Sequence, residues 1–148
     1  FTFDGLDAAE TRMQDLHALS ALRYQKLDTS PSYNFKNAAQ EISEALFYNL
    51  NTPKALAILS NVCNEIIAPP DIAQAKNLGE FIDFIDKSLG LNIAELSDID
   101  DSQKALIANR AEAKEVKNWQ EADKLRDELS EQGIGLNDTP YGTTWHYI

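Results

Sequence analysis

The sequence predicts a mainly α protein: a bundle of about four helices, followed by a small module of two helices and a β-hairpin. Three observations carry this. Apolar residues recur at helical spacing through residues 4–89, an Ala-, Lys- and Glu-rich stretch opens the last third, and the final residues are β-prone around Pro140 and Gly142. The 148 residues suit one domain or two small ones. With 43% hydrophobic and 25% charged residues, the composition is that of an ordinary globular protein.

The elements follow in order. Leu6, Ala9, Met13, Leu16, Leu19 and Leu22 form one stripe of a helix over about 4–27. Asp28-Thr29-Ser30-Pro31-Ser32 reads as a loop. A second helix fits about 34–49, with Phe35, Ala38, Ile42, Ala45 and Leu46 inward. Thr52 suits the N-cap of a third, with Pro53 at its first helical position, where a missing N–H costs nothing. Leu56, Leu59, Val62, Cys63 and Ile66 make its apolar face, and Pro69-Pro70 stops it. A fourth helix spans about 71–89, with Leu78, Phe81, Ile82, Ile85 and Leu89 inward and Gly90 as its stop.

Residues 91–101 have no clear period and read as a linker, which divides the chain into a bundle (1–90) and a C-terminal module (102–148). The module opens with a strong, fairly polar helix. Asn118 followed by Glu121 fits a capping box for the next one, with Trp119, Ala122, Leu125 and Leu129 along one side. Gly133 ends that helix, residues 134–138 alternate like a strand, and Thr139-Pro140-Tyr141-Gly142 turns the chain back into a β-prone end.

Charge restricts the function. The chain carries 13 Lys and Arg against 24 Asp and Glu, a formal net charge of −11. Residues 1–100 hold 7 basic and 15 acidic side chains, and the last 48 hold 6 and 9. Neither part has the basic field that captures nucleic acid broadly, so any such binding rests on a few placed residues. A single cysteine excludes an internal disulfide framework and a Cys-based zinc site. His17 and His146 lack metal-ligand spacing, Cys63 reads as a small core residue, and the six glycines form no phosphate-cradling loop. No catalytic residue and no metal site is assigned. No apolar run is long enough to span a membrane, and FTFDGLDAAE has neither the signal-peptide pattern nor an initiator Met, which reads as a processed product or fragment.

The most informative stretch is KALIANRAEAKEVKNWQEADKLRDELSEQGIGLNDTPYGTTW, residues 104–145. Trp119, Ala122, Asp123, Leu125, Arg126, Asp127 and Leu129 match W-x-x-A-D-x-[IL]-R-D-x-L. Gly133, Ile134, Leu136, Asp138, Thr139, Pro140, Gly142, Thr143, Thr144 and Trp145 match G-I-x-[VL]-x-D-T-P-x-G-T-T-W. Both patterns resemble the C-terminal end of cysteinyl-tRNA synthetase. FTFDGLDAAETRMQDL and LNTPKALAIL resemble that family more weakly upstream.

The resemblance implies a DALR-type anticodon-binding bundle plus a small module that completes recognition of the GCA anticodon. It also implies a class I parent that attaches cysteine to tRNA-Cys in the cytoplasm. The family's H-I-G-H and K-M-S-K-S signatures and its zinc ligands are absent from this sequence. ATP and zinc therefore belong with a catalytic domain of the same polypeptide, no cofactor with these residues, and the chain alone should not activate cysteine. The implied partners are tRNA-Cys and that catalytic domain, not a membrane or DNA.

The chemistry suits the residues. An unstacked base can lie on the Trp119 ring. Guanine's Watson–Crick edge offers two adjacent donors, which the two oxygens of Asp123, one helical turn on, can accept together. Asp138 is a second candidate RNA contact. Lys114 stands where the family usually has arginine, which favours a phosphate contact over planar reading of a base edge. Lys117, Lys104, Arg110 and Arg126 are further candidate phosphate contacts. Two departures remain: Phe47-Tyr48-Asn49-Leu50 replaces an often acidic stretch, and His146-Tyr147-Ile148 replaces an often basic tail. A reading from another class is a helical protein-interaction module without RNA binding, with the apolar stripes seating a partner.

Overall fold

The computed structural model describes residues 3–25, 33–69 and 72–148; the loop expected at 28–32, Pro70 and residue 71 lie outside them. Among the described residues six α-helices precede a two-stranded antiparallel hairpin: α1 (Phe3–Ala21), α2 (Phe35–Phe47), α3 (Thr52–Glu65), α4 (Ile72–Leu89), α5 (Asp101–Glu115), α6 (Trp119–Glu131), β1 (Ile134–Thr139) and β2 (Gly142–Tyr147). A short 3-10 turn, Leu22–Tyr24, extends α1. The chain is mainly α, as the spacing predicts.

The bundle closes on the residues that the stripes select. Leu16, Leu19, Phe35, Ile42, Leu59, Val62, Leu78, Phe81, Ile82 and Ile85 are all buried in one cluster. Two expectations for α1 need correction: Leu6 is 50% exposed and Ala9 is exposed, because among the described residues nothing covers that end of the helix. A third correction concerns α3. Its cap is Asn51, whose side chain accepts from Lys54 N, and Thr52 is already helical. An Asn oxygen one residue earlier meets the free N–H groups equally well, which spacing alone does not resolve. α3 also ends at Glu65, before Pro69. Gly90 terminates α4 with φ +68°, as expected of a C-terminal glycine.

A second cluster holds the module. Leu129 of α6, Ile134 and Leu136 of β1 and Trp145 of β2 pack with Ile99 and with Ala21 of α1. α1 thus contributes to both cores. Its continuation also covers the edge of β2: the Gln25 side-chain amide donates to Trp145 O (2.9 Å) and accepts from Trp145 N (3.1 Å). The side chain takes the place of a neighbouring strand and satisfies that edge.

Residues 91–101 are non-helical apart from the start of α5 at Asp101, yet tightly held. Asp86 accepts from Ile93 N (2.9 Å) and Ala94 N (2.7 Å). Buried Ser20 donates to Ile93 O (2.6 Å), and Tyr24 donates to Leu96 O (2.8 Å). Ile93 is buried in the first cluster and Ile99 in the second.

Candidate nucleic-acid interface

The interface is built on the α5–α6 helical hairpin. Asp100 opens α5 with a full capping box: its side chain accepts from Gln103 N, and the Gln103 side chain accepts from Asp100 N. α5 ends as Lys117 turns into the left-handed region (φ +58°), with its N–H donating to Lys114 O. Asn118 then caps α6 by accepting from Glu121 N at 3.3 Å. This short connection sets the two helices side by side.

Ala122, Leu125 and Leu129 face inward on α6, but Trp119, expected along the same side, is 58% exposed. At about 100° per residue it stands some 80° from the centre of that apolar face. Asp123 lies about 40° further round and Arg126 about 20° to the other side, so the three share one stripe. Asp123 and Arg126 are exposed.

An ion cluster joins α5 to the hairpin. Arg110 grips Asp138 with both ends of its fork: Nη1 donates to Oδ1 (3.0 Å) and Nη2 to Oδ2 (2.9 Å). Thr143 donates to Oδ1 from across the hairpin (2.7 Å), and Lys114 Nζ lies 2.9 Å from the same oxygen. Four donors thus meet a group with about four acceptor sites. The Arg110 guanidinium beside Asp138 holds its carboxyl well below the usual carboxylate range, against a smaller effect of burial, with Thr143 and Lys114 acting in the same direction. Asp138 in turn raises Arg110, with Asp123 adding a weaker Coulombic pull. The Arg110 side chain is 6% exposed, whereas those of Lys114 and Asp138 are 32% and 44% exposed.

Trp119, Asp123 and Arg126 thus share one stripe of α6, Lys114 and Asp138 pair between α5 and the hairpin, and Lys117 is exposed in the turn between the helices. Two expected phosphate contacts are engaged elsewhere. Arg110 is internal, and Lys104, about 15 Å along α5 from Lys114, pairs with Asp98 at 2.6 Å. The structural role of Arg110 is what the sequence reading missed. The available signal was its position four residues before Lys114, on the same face.

Other reactive groups give no site. Burial pushes the Cys63 thiol up to about 12. Burial lowers His146, as does nearby His17, against a smaller effect of Asp15. Among the described residues no group of three or more His, Cys, Asp or Glu is placed to hold a metal ion, and no helix is long and apolar enough to cross a membrane.

Residues 96–145, which contain the whole interface, match the family described as the cysteinyl-tRNA ligase anticodon binding domain. Three relatives named cysteine–tRNA ligase align over nearly all of the chain. That of Actinobacillus pleuropneumoniae serotype 5b is 32% identical over 98% of it, and that of Aliarcobacter butzleri is 34% identical over 100%. The Lactobacillus gasseri protein is 32% identical over 99%. The chain spans 33–34% of the length of these three relatives. The chain belongs to the cysteinyl-tRNA ligase family and corresponds to its anticodon-binding part.

Proposed function

We propose that this chain binds tRNA-Cys by its GCA anticodon, as part of a class I ligase that joins cysteine to that tRNA with ATP. The observation that carries this reading is the exposed Trp119 indole, which shares a stripe of α6 with Asp123 inside the family-matched segment. The guanine of an open anticodon loop stacks on the indole and presents its imino and amino donors to Asp123. Adenine and the pyrimidines lack that donor pair. Lys114, Lys117 and Arg126 meet phosphates, and Asp138 takes part from beneath Lys114. The bundle and the module act as successive units joined by residues 91–101. Activation of cysteine, with ATP and zinc, belongs to a catalytic domain in the same polypeptide.

The test is binding of a synthetic stem-loop RNA with GCA at its apex, compared with one in which the first anticodon base is adenine. Trp119→Ala should weaken GCA binding roughly 5- to 150-fold, the value of one base–aromatic stack, with an unchanged melting temperature. Asp123→Ala should erase the preference for guanine over adenine. Equal binding of both loops by the wild-type chain contradicts the proposal.

A further inference from the structure

We infer that Arg110, which lies inside the module, is a positioning residue for anticodon recognition and acts through Asp138 and Lys114; this rests on the reading above. Arg110 has 5% residual exposure, so it touches no RNA itself. Its fork fixes both oxygens of Asp138, and Thr143 fixes one of them from the opposite strand. The orientation of that carboxylate is therefore set from α5 and from β2 together. Lys114, a half-exposed donor among its partners, is held at 2.9 Å.

A free lysine ammonium sweeps a wide arc on four methylenes, whereas this one is tethered and presents its remaining donors in a fixed place. The sequence has Lys114 where a planar arginine fork would orient itself. The pair beneath it supplies the orientation that the ammonium lacks. Asp138 serves as a tether: its Oδ1 takes donors from Arg110, Thr143 and Lys114, and its Oδ2 takes Arg110.

Arg110 Nε adds a second observation. It is a buried donor without a hydrogen-bond partner among the described residues. Such a group is costly to leave unmet, and a side chain chosen only for packing would avoid it. The fork is retained at that cost, as expected if two-point alignment of Asp138 is its role.

The experiment is a double-mutant cycle read by stem-loop binding. Arg110→Lys keeps the buried charge but loses the fork. It should weaken GCA binding about tenfold and the adenine loop by a similar factor, since Lys114 meets a phosphate. In a Lys114→Met background, Arg110→Lys should cost less than about twofold more, because the residue it aims is gone. An undiminished cost in that background overturns the proposal and leaves Arg110 as a fold-holding residue only. If Arg110→Lys does not fold, Asp138→Glu runs the same cycle, since it keeps the charge and shifts the carboxylate. Trp119→Ala without effect on GCA binding overturns the anticodon reading itself. Trp119→Ala weakening alongside full additivity of Arg110→Lys and Lys114→Met overturns only the positioning role.

Discussion

At the scale of single residues, the Asp138 carboxyl is the best-fixed group on the interface, and its environment makes an acid-stability prediction. Its folded-state pKa lies below the ordinary value of about 3.9, so the ionised form is what stabilises the fold. That contribution is fully present above the ordinary value and is lost as pH falls through the folded one. Asp138→Asn should therefore lower stability by about 2 kcal/mol at neutral pH, less than for a fully buried pair because the Asp138 side chain is 44% exposed. The gap to wild type should stay constant from pH 7 to about 5 and narrow below about 4. Denaturant melts across that range check it, and a gap that widens towards acid contradicts it. The sequence alone showed Trp119 and Asp123 one turn apart, and it put Trp119 along one side with Ala122, Leu125 and Leu129 while also offering its ring to a base. A tryptophan at the edge of an apolar stripe fits either face, and only packing around Ala122 and Leu125 decides. Arg110 was legible as a cation and not as a buried one, because its partner Asp138 lies 28 residues away.

At the scale of elements, the Asn118 cap, the Gly90 stop and the hairpin turn were readable as local signals, whereas the α3 cap fell one residue off and cross-strand contacts were not legible. The hairpin turn falls where Thr139-Pro140-Tyr141-Gly142 places it, with Thr139 paired to Gly142. Nothing local announces that Gly135 lies under the His146 ring. A Cβ there would stand 2.6 Å from His146 Nε2 and 2.8 Å from Ile148 Cγ2. Gly135→Ala should cost about 1–3 kcal/mol by overpacking, and His146→Ala should recover part of it; thermal melts of the single and double variants decide. Lys117 offers the opposite case. A non-glycine residue in the left-handed region is strained by about 1–2 kcal/mol, so Lys117→Gly should raise stability by roughly 1 kcal/mol. The same change removes a cation from the proposed interface and should weaken stem-loop binding. A variant that is both more stable and equally tight-binding would remove Lys117 from the interface.

At the scale of the whole molecule, α1 and the segment from Asp86 to Ile99 tie the bundle to the module. Bundle stripes and module motifs were visible separately in the sequence, but Ser20, Gln25 and Asp86 reach backbone groups far along the chain that no periodicity encodes. With a net charge of −11, binding depends on placed contacts rather than a broad field. Three phosphate contacts predict a slope of log affinity against log salt of about −2 for single-stranded RNA; a slope near −5 would indicate diffuse capture. The central claim is most directly tested by intrinsic fluorescence, because Trp145 is buried at 5% exposure and Trp119 is open at 58%. Titration with the GCA stem-loop should quench emission from Trp119, the adenine-substituted loop should do so far more weakly, and Trp119→Phe should abolish the change. Emission unaltered by saturating GCA stem-loop, or quenched alike by both loops, would contradict the account.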